Sequence, residues 1–224
     1  MNYDDLNDDA KHWLRRERFK FFTAGSFLGA ATQVRNTVGV YVIFLRNIST
    51  LLSRAQLPDT HELRKWSLRD CQHVYTGLSV AMRSRAVTHL CGDVRDSGVR
   101  QNLLALQFCD SLLWDKDDLN LPVWEGRLSE WLVINALVGF RICEAVGEVQ
   151  KIEAELIQKL PSPFNTEGNR TSSLVASLSQ KRESFRQHLI TTQMLHRRRP
   201  KRPLQWLLGA TANHLAGEQS EHST

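Results

Sequence analysis

Apolar positions along the chain recur mostly at helical spacing. Between residues 27 and 54, Val34, Val38, Tyr41, Leu45, Ile48 and Leu52 follow one another at alternating steps of three and four, which places them on one helix face. The β-branched run Val38, Val40, Val42 and Ile43 leaves a strand open for residues 36–46. Residues 4–22, after an Asp-rich start, and residues 61–91, interrupted near Gly77, also read as helical. Residues 99–114 carry Leu103, Leu104, Leu106, Phe108 and Leu112 on nearly every side, the mark of a helix buried at the centre of a bundle. The longest pattern, residues 127–160, places Trp131, Asn135, Val138, Ile142, Val146, Val149, Ile152 and Leu156 on one face. These elements predict an all-α fold: a single helical bundle around a buried central helix, with a flexible basic C-terminal segment. The expected division is a bundle domain over 8–160, a linker over 161–173 and a basic helical segment over 174–224.

Composition narrows the class. In 224 residues, 42% are hydrophobic and 24% charged, so a globular chain with a sizeable core is expected. No uncharged run reaches the length of about 20 apolar residues that crosses a bilayer. The N-terminus lacks the basic-then-apolar order of a signal peptide. Cys71, Cys91, Cys109 and Cys143 are scattered among apolar neighbours without a C-x-x-C pair, so free thiols in a reducing compartment are expected, in cytoplasm or nucleus.

The formal charge of +5 is unevenly spread. Residues 181–202 hold eight Lys or Arg against one Glu. Within them, Arg197, Arg198, Arg199, Lys201 and Arg202 form a dense cluster flanked by Pro200 and Pro203. Such a cluster suits an import receptor or the phosphates of nucleic acid. No G-x-S-x-G, H-E-x-x-H, P-loop or G-x-G-x-x-G occurs, and no His pair lies at i, i+4. No enzyme, metal site or cofactor is therefore expected. The loop Asp115-Lys116-Asp117-Asp118 lacks the glycine and distal Glu of a calcium loop.

One stretch resembles a known family. Gly92 to Arg100, then Leu103-Leu104-Ala105-Leu106-Gln107-Phe108 and Trp114, resembles the groove-forming segment of Bcl-2-like viral apoptosis inhibitors, in particular the adenoviral small T antigen branch. Leu128-Ser129-Glu130-Trp131-Leu132 and the helix after it are also similar, although Val99 separates Gly98 from Arg100 where the family joins Gly to Arg. The resemblance implies a groove lined by Gly98, Arg100, Leu104, Phe108 and Trp131 that receives an amphipathic helix of a host pro-apoptotic protein. Arg100 would pair with that helix's acidic residue. The expected function is thus a non-enzymatic, viral inhibitor of apoptosis. Two alternatives stay open: a nuclear accessory protein that binds nucleic acid or nucleoprotein through its basic C-terminal segment, residues 181–202, with residues 196–203 as the contact for an import receptor or nucleic acid, and a helical matrix or scaffold protein.

Overall fold

The computed structural model describes residues 14–31, 36–57, 67–68, 70–109, 121–159, 162–165 and 173–191. Among the described residues, five strands form one sheet: β1 (Lys20–Thr23), β2 (Gly39–Arg46), β3 (Ser67–Leu68), β4 (Cys71–Ser79) and β5 (Ala136–Ile142). Their order across the sheet is β1-β5-β2-β4-β3, and every neighbouring pair is antiparallel. Among the described residues, these helices accompany them: α1 (Ala24–Ala30), α2 (Ile48–Arg54), α3 (Met82–Cys91), α4 (Gly98–Cys109), α5 (Leu121–Asn135), α6 (Val146–Lys159) and α7 (Ser173–Thr191). A 3-10 turn, Val94–Asp96, joins α3 to α4.

The all-α expectation is overturned by this sheet, and burial explains the misreading. Seven consecutive residues of β2, Gly39 to Leu45, are buried, and so are the first five of β5. A strand enclosed on both faces has no polar alternation to distinguish it from a buried helix. The predicted helix over 27–54 is a short helix, a strand and another short helix. The predicted helix over 61–91 becomes β3, β4 and α3 within the described residues, and that over 127–160 divides into part of α5, β5 and α6. The strand left open for residues 36–46 is β2. Gly25 and Ser26 lie inside α1, and Thr23 caps that helix by accepting a hydrogen bond from the Ser26 N–H at 3.2 Å.

The two faces of β2 divide the core. Tyr41, Ile43 and Leu45, with Val74 of β4, join the larger cluster, which includes residues from α1, α2, α3, α4, α5 and α7. Val40, Val42 and Phe44, with Cys71, face Val149, Ile152 and Leu156 of α6 and the N-terminal Leu14 and Phe19. The result is a helix–sheet–helix sandwich. The apolar helix expected near residue 100 is real over Gly98–Cys109: Val99, Leu103, Leu104 and Ala105 are all fully buried. Residues 110–114, and with them Trp114, lie outside the described residues, as does the 115–118 loop. Helix α7 docks on α4 and contributes Phe185 and Leu189 to the larger cluster.

Beside β4 runs the short segment 162–165. The Phe164 N–H donates to the Val74 carbonyl at 3.0 Å. The Asn165 side chain accepts from the Thr76 N–H at 2.8 Å and donates to the Thr76 carbonyl at 2.6 Å. An open strand edge is thereby capped by side-chain amide and backbone in place of a sixth strand. Cys71, Cys91 and Cys143 are free thiols, and no described helix is long and apolar enough to cross a membrane.

Candidate active site

Gly39, at the start of β2, has β5 and α3 closing on it. A Cβ there would lie 2.4 Å from the Arg141 carbonyl oxygen and 2.9 Å from Met82 Sδ. Two residues on, Tyr41 faces the helices, directly opposite Gly77 of β4. A Cβ at Gly77 would lie 2.5 Å from the Tyr41 hydroxyl oxygen and 2.8 Å from the Tyr75 ring. Only a glycine lets the Tyr41 phenol lie across its neighbouring strand. Tyr75 is opposite Ile43 and so shares the Tyr41 face, with ring centroids 6.0 Å apart.

Helix α3 supplies the other half of the site. It begins just beyond β4 and presents Arg85 and His89, four residues apart and so on one helix face. His89 is fully buried between the two phenols, 5.5 Å from the Tyr41 ring and 5.0 Å from the Tyr75 ring. The Tyr41 hydroxyl and His89 Nε2 share a hydrogen bond of 2.8 Å, and His89 Nδ1 and Ser97 Oγ one of 2.7 Å. Arg85 donates through Nη1 to the Asp96 carbonyl at 2.6 Å, and its positive charge acts on both phenols. Tyr75 and Arg85 are half-buried, so they form the open side of the cluster.

Electrostatics keep the centre neutral except for the guanidinium. Burial, then the neighbouring Tyr75, push the Tyr41 phenol well above its usual range, while Arg85 pulls it down. Burial also raises Tyr75, and Tyr41 and Arg85 oppose it. Burial, reinforced by the charges of Arg85 and Arg100, lowers the His89 imidazole to about 3. The cluster is therefore a neutral hydrogen-bonded chain from Tyr41 to Ser97, with one cation at its mouth.

The residues expected to line a partner groove have other roles. Arg100 is fully buried, and its guanidinium donates to the Leu90 carbonyl at 2.9 Å, the Glu125 carbonyl at 2.8 Å and Ser129 Oγ at 3.1 Å. It ties α3, α4 and α5 together and is not presented to a ligand. Its own N–H donates to Ser97 Oγ at 3.2 Å, so it also steadies the hydroxyl behind His89. Leu104 is core, Trp131 packs half-buried on the larger cluster, and Gly98 opens α4. Phe108 lies in α4, and its side chain is outside what the structure describes. Arg197, Arg198, Arg199, Lys201 and Arg202 also lie outside the described residues.

A tyrosine pair, a histidine and an arginine are thus gathered where two central strands meet one helix. The chain belongs to the GIY-YIG catalytic domain family, whose model matches residues 39–184. The match begins at Gly39. The two tripeptides of the family's name appear here as Gly39-Val40-Tyr41 on β2 and Tyr75-Thr76-Gly77 on β4, each with isoleucine replaced. No curated protein and no solved structure gives a significant match to the chain.

Membership of a nuclease family corrects the Bcl-2-like resemblance, the apoptosis-inhibitor function, the helix partner and the expectation that the protein is no enzyme. The resemblance rested on the apolar spacing of α4, which any buried helix repeats. Tyr41, Tyr75, Arg85 and His89 all escaped the sequence reading. The available signal was two mirrored tripeptides, each placing a glycine two residues from a tyrosine in a β-branched run, followed by Arg and His at i, i+4.

Proposed function

We propose that this protein is a nuclease that hydrolyses phosphodiester bonds through Tyr41, Tyr75, His89 and Arg85. One observation carries the reading: the hydrogen-bonded chain from the Tyr41 phenol through His89 to Ser97 stands beside a guanidinium within the family's own tripeptide frame. Water attacks phosphorus and gives its proton to a phenol oxygen as that phenol's proton moves on toward His89 Nε2. The bond from phosphorus to the leaving ribose oxygen breaks, and that oxygen takes a proton from solvent. A neutral imidazole with so low a pKa is by itself a weak base. An incoming phosphodiester places negative charge beside it, which favours the imidazolium.

Arg85 faces the charge that builds on the phosphoryl oxygens in the transition state, where a fixed donor is most effective. One of its N–H groups is held by the Asp96 carbonyl, which fixes the plane of the guanidinium. Among the described residues no three His, Cys, Asp or Glu side chains converge to hold a metal ion. What the chain itself supplies to the reaction is a phenol pair, an imidazole and a guanidinium.

The test is cleavage of plasmid DNA and of labelled RNA, with magnesium or manganese in the buffer. Wild type is expected to cleave at least one of them. Tyr41→Phe, which removes only the hydroxyl, is expected to slow cleavage by roughly 10²–10⁴-fold, the usual size of a general-acid–base contribution. Arg85→Ala is expected to lose ~10²–10³-fold, as for one transition-state donor. Full activity in both variants would refute the assignment.

A further inference from the structure

The turn that holds Arg85 also forms one wall of a cavity. Arg85 donates to the Asp96 carbonyl of the 94–96 turn. Between this turn, α4 and α7 lies a cavity of about 300 Å³. Its floor is apolar and closed: Val94, Phe185 and Leu189 are each nearly fully buried. Its rim carries three arginines, Arg95 from the turn and Arg182 and Arg186 from α7.

Acids balance this rim only in part, because Arg95 pairs with Asp93 and Arg186 lies near Glu183, which leaves the rim cationic overall. Arg182 and Arg186 are four residues apart, an arrangement that puts like charges side by side on a helix and weakens it. Glu183 lies 3.5 Å from Arg186 and is the only acid on α7, against Lys181, Arg182 and Arg186. Arg95 is paired with Asp93, which holds its guanidinium in place. A polyanion laid along this rim relieves the crowding. Gln101 braces the turn from beneath, its side-chain N–H donating to the Val94 carbonyl at 3.0 Å.

We propose that this cavity is a second binding site, taking backbone phosphates of the nucleic acid whose scissile bond lies at Tyr41 and Arg85. The inference rests on the nuclease reading and adds to it a reason for α7, which the tyrosine centre does not use. The strand passes from Arg85 over the 94–96 turn and meets Arg95, Arg182 and Arg186. Arginine suits the task because its planar fork can grip two phosphate oxygens at once.

The experiment compares wild type with Arg182→Gln/Arg186→Gln and with Arg182→Lys/Arg186→Lys. A labelled DNA duplex and a labelled RNA are each titrated by fluorescence anisotropy from 50 to 300 mM salt, and steady-state cleavage is followed on whichever is cut. In the glutamine variant the Kd is expected to rise about tenfold or more at low salt. The slope of log K against log salt should fall by about 2, near one unit per lost phosphate contact. Its kcat at saturating substrate should stay within about twofold of wild type, since neither residue touches the reacting atoms. The lysine variant should recover most of the affinity, which a purely structural role for these side chains would not require. A glutamine variant with the Kd and salt slope of wild type overturns the second site while wild-type cleavage stands. A wild type that neither binds nor cuts either nucleic acid overturns the nuclease reading, and the second site with it.

Discussion

Two buried histidines, one on each face of the sheet, look alike by every local measure. His89 on the helix α3 side and His73 on β4 are both fully buried, both paired with a serine hydroxyl, and both lowered by burial to about 3. His73 shares hydrogen bonds with Thr76 Oγ1 at 3.1 Å, Ser162 Oγ at 3.2 Å and the Tyr75 carbonyl at 3.1 Å, and its ring packs on Phe44. Those partners lock the 162–165 segment onto β4. His89 instead joins a buried phenol, next to a half-exposed phenol and Arg85. The comparison teaches that burial and a depressed pKa do not mark a catalytic histidine. What marks it is a connection, through exchangeable protons, to a surface where a substrate can sit.

The most direct way to break the comparison is to make the same substitution twice. His89→Asn is expected to cut phosphodiester cleavage by roughly 10²–10³-fold, within the range of a general-base loss. His73→Asn should leave the activity of the folded enzyme within about threefold. It should nevertheless lower stability by ~1–3 kcal/mol, because it leaves buried hydroxyl partners unsatisfied. Cleavage assays with urea melts on both proteins test this; equal loss of activity in the two would erase the distinction.

Acid acts on both histidines in one direction. Each folded-state pKa is near 3, below an ordinary value of 6.5, so the unfolded chain binds protons that the native one refuses. Their contribution to stability is whole above about pH 6.5 and is lost as pH falls toward 3. The expected slope is up to about 1.4 kcal/mol per pH unit for each histidine in that window. Urea midpoints measured between pH 7 and 5 would reveal it, and His73→Asn should flatten the slope by about half. An unchanged slope would mean that His73 titrates alike in both states.

Gly77→Ala sharpens the site side of the comparison. The new methyl group must displace the Tyr41 phenol, so cleavage should fall ~10-fold or more with a stability cost of about 1–3 kcal/mol, typical of overpacking. Asn165→Ala, on the opposite side of β4, removes two hydrogen bonds to Thr76 and should cost ~1–2 kcal/mol by thermal melting. Activity at 25 °C should be unaffected. A loss of activity in Asn165→Ala larger than in Gly77→Ala would show that the edge segment, not the glycine, governs how Tyr41 is held.

Legibility followed exposure. Helix α7 was readable because its polar face meets solvent, and α4 because its length and unbroken apolar character suit a central helix. β2 was half readable: Val38, Val40, Val42 and Ile43 raised a strand, but Tyr41, Leu45 and Ile48 fit a helical face equally well. β5 was not readable at all, since Ala136 to Phe140 are buried throughout and run on from α5 without a break. Arg100 was noticed for its place before an apolar helix, yet nothing in the chain order says that its guanidinium turns inward to Leu90, Glu125 and Ser129. Arg85 and His89 are not legible in the sequence, because a histidine that joins an arginine and two distant tyrosines leaves no short-range spacing pattern of the kind that marks a metal site.

The amino-acid order by itself determined the quantities that are local or additive: a chain with enough apolar residues for a core, an excess of cations toward residue 181 and beyond, a buried helix near residue 100, and a helix starting near 174. The pairing was decided only in three dimensions. Tyr41 and Gly77 are 36 positions apart, and they become neighbours because β2 and β4 pair in one register. Shifting that register by one residue would turn Tyr41 away from His89 and remove the glycine that makes room for its phenol. Register depends on the sum of contacts across both faces of the sheet, and no window of sequence contains that sum.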